Sequence, residues 1–250
     1  MAELHPLARQ FSSVAEVYER GRPDYPPAVV GALAAELDIV PGSRVLDLGA
    51  GTGKLTRALV AFGLDVIAVE PQSALREVLA AGIGRERVQD GMAEEIPLPD
   101  HSVAAVTVAD AFHWFDQSAA LAEIRRVLDP SGGLAVLATL PGGFDAPWAS
   151  ELITLLSSRR PEHPGFDGPD WSEAVRAAGG WSEPREIEVI SSQPASPDRL
   201  VDYLASASWI AAMPDEERAE LLGQARSALT AAELPSELPV RVRIGLARPA

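Results

Sequence analysis

Residues 45–55 read VLDLGAGTGKL: a short apolar run, then an acid, three glycines two apart and a lysine. Without a Cβ, glycine lets the backbone pass close to a ligand, and three kinds of cofactor are held by such turns: nucleoside triphosphates, dinucleotides and S-adenosylmethionine. A phosphate loop requires G-x-x-x-x-G-K-[ST]. Gly53-Lys54 supplies its end, but the first glycine falls on Leu48 and the hydroxyl on Leu55, so that reading fails. The dinucleotide fingerprint G-x-G-x-x-G needs its third glycine where Lys54 stands, and here that glycine comes one position early, at Gly53. Glu70 ends the run IAVE, where a strand-end carboxylate can accept two ribose hydroxyls. That feature suits a dinucleotide and S-adenosylmethionine alike.

A second reactive stretch is ADAFHWFD, residues 109–116. His113 or Asp110 there could act as general base, and Phe112 or Trp114 could wall a site against water. The competing role for these aromatics is to seat the following helix. Acceptors that are already ionised, such as carboxylates, would need no base, only positioning. His5, His101 and His163 lie without metal-ligand spacing, and no metal site is expected.

The elements that must position these residues follow from the apolar pattern. Strands are expected at Arg44–Leu48, Asp65–Val69, Arg87–Gln89, Val103–Val108 and Leu134–Leu140, with helices at Lys54–Phe62, Ser73–Ala81 and Asp116–Leu128 between them. Near-continuous apolar strands alternating with helices predict an α/β fold with a mostly parallel sheet covered on both faces. Earlier, helices are expected over Ser12–Glu19 and from Pro26 to Ile39. After Leu140, Pro141-Gly142-Gly143 opens a Pro-, Gly- and Trp-rich stretch reaching about Pro184, with a helix at Ala149–Ser158. Strands at Glu186–Ser191 and Val240–Ala247 enclose helices at Pro197–Ala207 and Pro214–Ala232, so the last strand need not be a simple hairpin partner. Trp148, Trp171, Trp181 and Trp209 are expected to pack this cap. The expected organisation is one domain over 1–250: a core of 26–140 and 185–250, an arm or lid at 1–25, and cap segments at 141–184 and 192–235.

Composition narrows the partners. The 250 residues carry 21 Lys plus Arg against 36 Asp plus Glu, a formal net charge of −15 that repels phosphate backbones, so no nucleic-acid partner is expected. The chain has no cysteine, which excludes disulfides, thiolate metal sites and cysteine nucleophiles. The N-terminus MAELHPLARQF lacks an apolar signal core, and no run approaches the roughly 20 apolar residues that span a bilayer. A cytoplasmic protein with no membrane partner is expected.

The pattern D-x-G-x-G-x-G, filled by Asp47, Gly49, Gly51 and Gly53, resembles the first motif of the class I S-adenosylmethionine-dependent methyltransferases. GMAEEIPLP at 91–99 resembles that family's adenine-binding stretch, with Met92 where many relatives carry an acid. The stretch AFHWF and the arm FSSVAEVYERGRPDYP resemble a small-molecule subset that includes trans-aconitate-methyltransferase-like proteins. The resemblance implies a Rossmann-like seven-stranded sheet of order 3-2-1-4-5-7-6 with its last strand antiparallel. It implies S-adenosyl-L-methionine as cofactor and methylation of a small molecule on oxygen, with a carboxylate among the acceptors. A nicotinamide oxidoreductase and a non-catalytic binder of the cofactor are the alternatives.

Carried onto this chain, the resemblance assigns the cofactor to the loop residues Asp47, Gly49, Ala50, Gly51, Thr52, Gly53 and Leu55. At the next strand end it assigns Glu70 and Pro71, and in the adenine stretch Met92, with backbone groups of Ala93 and Glu94. After the fourth strand it assigns Ala109, Asp110, Ala111 and Trp114. From the arm, Tyr18 closes over the cofactor, and Arg22 offers a fork to its methionine carboxylate or to a substrate acid.

Overall fold

The computed structural model describes residues 4–141, 144–168 and 170–250, so Gly142 and Gly143 lie outside it. A 3₁₀ turn (Ala8–Ser13) leads into α1 (Ala15–Gly21) and α2 (Pro27–Leu37). The alternating part runs β1 (Arg44–Leu48), α3 (Lys54–Ala61), β2 (Asp65–Val69), α4 (Ser73–Ile83), β3 (Val88–Gln89), β4 (Val103–Ala109), α5 (Gln117–Val127) and β5 (Leu128–Pro141). Then come α6 (Ser150–Ser157), α7 (Pro164–Asp167), α8 (Trp171–Ala178) and β6 (Arg185–Pro194). The chain closes with α9 (Pro197–Ala205), α10 (Ser208–Ala211), α11 (Asp215–Ala231) and β7 (Glu237–Ala247).

The sheet has seven strands in the order β3-β2-β1-β4-β5-β7-β6. β1 to β5 pair in parallel, and β7 runs antiparallel to both neighbours. One face buries Val45, Val66, Ala105, Leu137 and Ile244 under α2 and α3; the other buries Leu46, Val106, Leu134 and Val136 under α5 and α8. This is why the central strands read as continuous apolar runs.

The sheet departs from the sequence pattern at β5 and at the β6–β7 pair. β5 begins at Leu128 rather than Leu134, because Leu128 pairs with Val103 before the register shifts to Ala105↔Gly133. The intervening Asp-Pro-Ser-Gly forms a bulge, and a Cβ on Gly132 would lie 2.8 Å from the Ala104 carbonyl oxygen. β6 and β7 are direct antiparallel partners from Arg185↔Leu246 to Pro194↔Glu237. The helices between them are thus an insertion carried at the far end of a long ribbon.

That insertion joins α6 in a core of its own, built on Leu152, Leu200, Leu204, Trp209, Ile210 and Leu221. Trp148 packs on this core, but Trp171 and Trp181 pack on the sheet instead. Gly245 makes the room: a Cβ there would sit 2.2 Å from the Trp171 ring. Among the described residues, no helix is long and apolar enough to cross a membrane.

Candidate cofactor and acceptor site

The loop after β1 is stitched to the end of β2, where the N–H groups of Gly49 and Ala50 both donate to the Val69 carbonyl, at 2.9 and 3.1 Å. The three glycines serve different ends. A Cβ on Gly49 would collide with Ala111 Cβ at 2.9 Å and crowd the Phe115 ring, and one on Gly53 would meet Leu79 Cδ1 at 2.5 Å. Gly51, at φ +59°, has nothing within 4 Å of its Cβ position, because it faces a cavity.

This cavity has about 580 Å³ of space free of protein atoms, part of it continuous with solvent. It lies at the carboxyl ends of the strands, the usual ligand position in an open α/β sheet. Gly49, Gly51 and Thr52 line it from the loop; Glu70 and Pro71 line it from just after β2, and Ala109, Asp110, Ala111 and Trp114 from the end of β4 and the turn that follows. Tyr18 closes it from α1. Phe11 and Phe115, which belong to the arm and aromatic motifs but were not assigned to the cofactor, also line it, as do Gln72, Leu75, Leu4 and Ala8, which no motif singled out. Arg22, Asp47, Ala50, Gly53, Leu55, Met92, Ala93, Glu94 and His113 stand outside the lining.

Each acid has a defined environment. Asp47 is buried beneath the loop, where Thr56 donates to Oδ2 at 2.5 Å and Thr107 to Oδ1 at 3.1 Å. Burial pushes its pKa up to about 6 against the pull of those two hydroxyls. Glu70 accepts the Gln72 N–H through Oε1 and the Gly51 N–H through Oε2, each at 3.0 Å. Burial raises it to about 7, with the two N–H groups opposing. Glu94 accepts the Asp116 N–H at 2.8 Å through Oε1, and its buried Oε2 has no partner among the described residues. Met92 bridges to Glu95, and Ala93 is buried in the core.

Asp110 holds a left-handed backbone, φ 52°, immediately after β4. The strain is tied down on both sides. Thr139 N–H donates to Oδ1 at 2.8 Å and Tyr25 OH to Oδ2 at 3.1 Å, with the Thr139 hydroxyl behind Tyr25 at 3.0 Å. His113 and Trp114 lie in a 3₁₀ turn whose rings form a cluster. Trp114 meets His113, His163 and His5 with centroids at 4.5, 4.9 and 5.3 Å, and Phe11 edge-on at 5.9 Å. Burial, then the charges of His163, Arg22 and His5, lower His113 to about 3, so it is neutral at pH 7. His163 accepts the Gly165 N–H at Nδ1, which leaves Nε2 to donate to Ser208 Oγ at 3.0 Å.

The arm lies over the cavity, held by Trp114 and by charge. Lys54, the residue that broke the dinucleotide pattern, contacts Asp24 at 2.8 Å, and Arg57 pairs with Glu19. The Gln72 side chain donates to the Ala8 carbonyl at 3.0 Å. Among the described residues no group of acids and histidines could hold a metal ion.

The profile of the family described as Methyltransferase domain matches residues 46–136, which contain the loop, Glu70 and the β4 end. The uncharacterized methyltransferase Rv3342 of Mycobacterium tuberculosis is 37% identical over 223 residues, 89% of this chain and 86% of that one. Trans-aconitate 2-methyltransferase of Mycolicibacterium gilvum is 32% identical over 66% of this chain and 62% of its own. A solved Anaeromyxobacter dehalogenans structure, described as a type II methyltransferase, superposes with a TM-score of 0.59 at 26% identity, covering 91% of this chain and 97% of that one. The chain therefore belongs to the S-adenosylmethionine-dependent methyltransferases. It is an enzyme of that class with S-adenosyl-L-methionine as its methyl donor, and the nicotinamide alternative is set aside.

The cavity fits that cofactor. Thr52 Oγ1 is buried in its wall without a hydrogen-bond partner among the described residues, and Gly51 leaves open space where a side chain would stand. Glu70 presents the carboxylate that a ribose requires.

Proposed function

We propose that the protein methylates an oxygen of a small-molecule acceptor, a carboxylate first among candidates. The observation that carries this is the state of His113. With its pKa lowered to about 3, its neutral imidazole is too weak a base to take a proton from a phenol or an alcohol. The other candidate base, Asp110, already has both carboxylate oxygens engaged by Tyr25 and Thr139. An acceptor that arrives ionised needs neither. A relative named for trans-aconitate, an acid, favours the same class.

When bound, the cofactor supplies an electrophilic methyl on a sulfonium centre: the acceptor oxygen bonds to that carbon as the carbon–sulfur bond breaks, and the electron pair stays on sulfur. The chain's own residues do the positioning. The backbone around Gly51 and Thr52, with the Glu70 carboxylate and Tyr18, would hold the cofactor. Met92 would pack on the adenine, with backbone groups of Ala93 and Glu94 reading its polar edge. The arm, pinned through Trp114 and Lys54, would exclude water, which favours a transition state in which charge is lost on both partners. A net charge of −15 suits a small acceptor better than nucleic acid.

The test is transfer of labelled methyl to a panel of di- and tricarboxylic acids, phenols and amines. Label that mild base releases as methanol is the mark of a carboxyl ester and is the expected result. Base-stable product on a phenol or amine would overturn the carboxylate assignment.

A further inference from the structure

The chain has three tyrosines, and the fold gathers all three about Asp110. Tyr18 comes from α1, Tyr25 from the segment between α1 and α2, and Tyr203 from α9. Burial raises the phenol pKa of each, and the charge of Asp110 raises all three further, with Arg22 opposing at Tyr18 and Tyr203.

Two joints hold the arm in this place. The first is on α9: a Cβ on Gly21 would lie 2.4 Å from the Asp202 carbonyl carbon, so α9 seats on the arm because residue 21 has none. There Arg22 Nε donates to Ser206 Oγ at 2.9 Å, and the guanidinium carbon lies 4.7 Å from the Tyr203 ring centroid. The second joint is Tyr25. Pro26 follows it and restricts it to extended backbone, and Pro27 begins α2. Its ring packs on the core under α2 and α3, and its hydroxyl reaches the ends of β4 and β5.

At those strand ends three hydrogen bonds close a ring. The Thr139 hydroxyl donates to the Tyr25 oxygen at 3.0 Å, Tyr25 donates to Asp110 Oδ2 at 3.1 Å, and the Thr139 N–H donates to Asp110 Oδ1 at 2.8 Å. A phenol has one proton, so Tyr25 donates to Asp110 only while Thr139 donates to Tyr25. The ring fixes a backbone at φ 52°, a left-handed region that L-residues rarely hold. Ala109, Asp110 and Ala111 line the cavity in succession, and Ala111 Cβ is the atom that a side chain on Gly49 would strike. The turn at Asp110 thus sets how the β4 side of the cavity meets the glycine loop. Tyr25 and Thr139 stand behind the lining.

We propose that Tyr25 and Thr139 are positioning residues for the cofactor, acting through Asp110: their ring of hydrogen bonds fixes the β4 side of the cavity and makes it depend on a seated arm. The inference rests on the cofactor lying in this cavity and is independent of the acidic acceptor.

The experiment uses the full chain and isothermal titration with S-adenosylhomocysteine. Tyr25→Phe keeps the ring on the core and removes the hydroxyl, and a loss of about threefold to tenfold in affinity is expected. Thr139→Val should lose about as much, while Thr139→Ser, which keeps a hydroxyl, should bind within about twofold of wild type. Asp110→Gly permits the same φ without a carboxylate. In that background Tyr25→Phe should cost nothing further, because the path through Asp110 is gone. A Tyr25 that merely stiffened the arm would cost the same in both backgrounds, and that result overturns the proposal. Tyr25→Phe binding within about twofold of wild type overturns it too, as does Thr139→Ser binding as weakly as Thr139→Val. A wild type that gives no heat with S-adenosylhomocysteine would overturn the cofactor's placement, and the proposal with it. The acidic-acceptor reading fails by a different result, base-stable product in the labelled transfer.

Discussion

The cavity has two halves of different construction. The glycine loop, Glu70 and the end of β4 are backbone-made, set by adjacent parallel strands and held by hydrogen bonds across short sequence separations. The arm and the cap are side-chain-made, and their joints span the chain: Arg22 meets Ser206, 184 residues away, and Arg20 meets Asp202 across 182. The first half makes a shape that any member of the class needs, with glycines at the contact points. The second makes a chemistry, with an arginine, tyrosines and histidines brought together by docking one helix on another. A fold shared by many substrates is expected to vary in the second half and keep the first.

The largest effect should come from filling the first half. Gly51→Val puts a branched side chain into the cavity at φ +59°, where strain alone costs about 1–2 kcal/mol, and should weaken S-adenosylhomocysteine about a hundredfold or more by calorimetry. Glu70→Ala should follow at about tenfold to a hundredfold, since it removes the proposed ribose acceptor and the partner of the Gly51 N–H. In the second half, Gly21→Ala should leave the loop intact yet part α9 from the arm. Overpacking of this kind costs about 1–3 kcal/mol, visible as a lower melting temperature and faster amide exchange in α1 and α9.

A smaller and sharper contrast lies in pH. Glu70 is raised from 4.5 to about 7, so in the ligand-free protein the folded form keeps a proton that the unfolded chain has lost. Its contribution is present below pH 4.5 and disappears as pH rises to about 7. Asp47, raised from 3.8 to about 6, acts in the same direction. His113 acts oppositely: it is lowered from 6.5 to about 3, so stability is lost as pH falls through that range. Glu70→Gln should therefore gain melting temperature relative to wild type between pH 5 and 7.5, and His113→Phe should gain it between pH 6.5 and 4. The smallest effect is on turnover: His113→Phe should change kcat with a carboxylate acceptor by less than about threefold. A fall of about a hundredfold would return His113 to the role of base.

The same division explains what could be read from the sequence. Apolar runs placed β1 and β2 to the residue, because both faces of these strands are covered, and Asp47, satisfied by Thr56 and Thr107, is the one polar residue inside them. The three glycines of the D-x-G-x-G-x-G pattern were legible because they all hold positive φ, which few other residues permit, and Glu70 because it closes an apolar strand run. Leu128 at the head of β5 was hidden by the Asp-Pro-Ser-Gly bulge, which reads as a loop. α8 was hidden because its eight residues hold two helical turns, too few for a period, inside a stretch dominated by proline and glycine. Tyr203 and Ser206 carry no local signal. Their meaning arises only when Gly21 lets α9 approach, and no spacing rule joins residues 22 and 206. Arg22 could be picked out from the arm, but its bond to Ser206 could not.

The central claim is that the backbone-made half holds the cofactor, and calorimetry of the wild type beside Glu70→Ala tests it most directly. S-adenosylhomocysteine should bind the wild type at a single site in the micromolar range and bind Glu70→Ala at least about tenfold more weakly, with no heat from NAD in either protein. Equal or tighter binding of NAD, or an affinity for S-adenosylhomocysteine that ignores Glu70, would contradict the account.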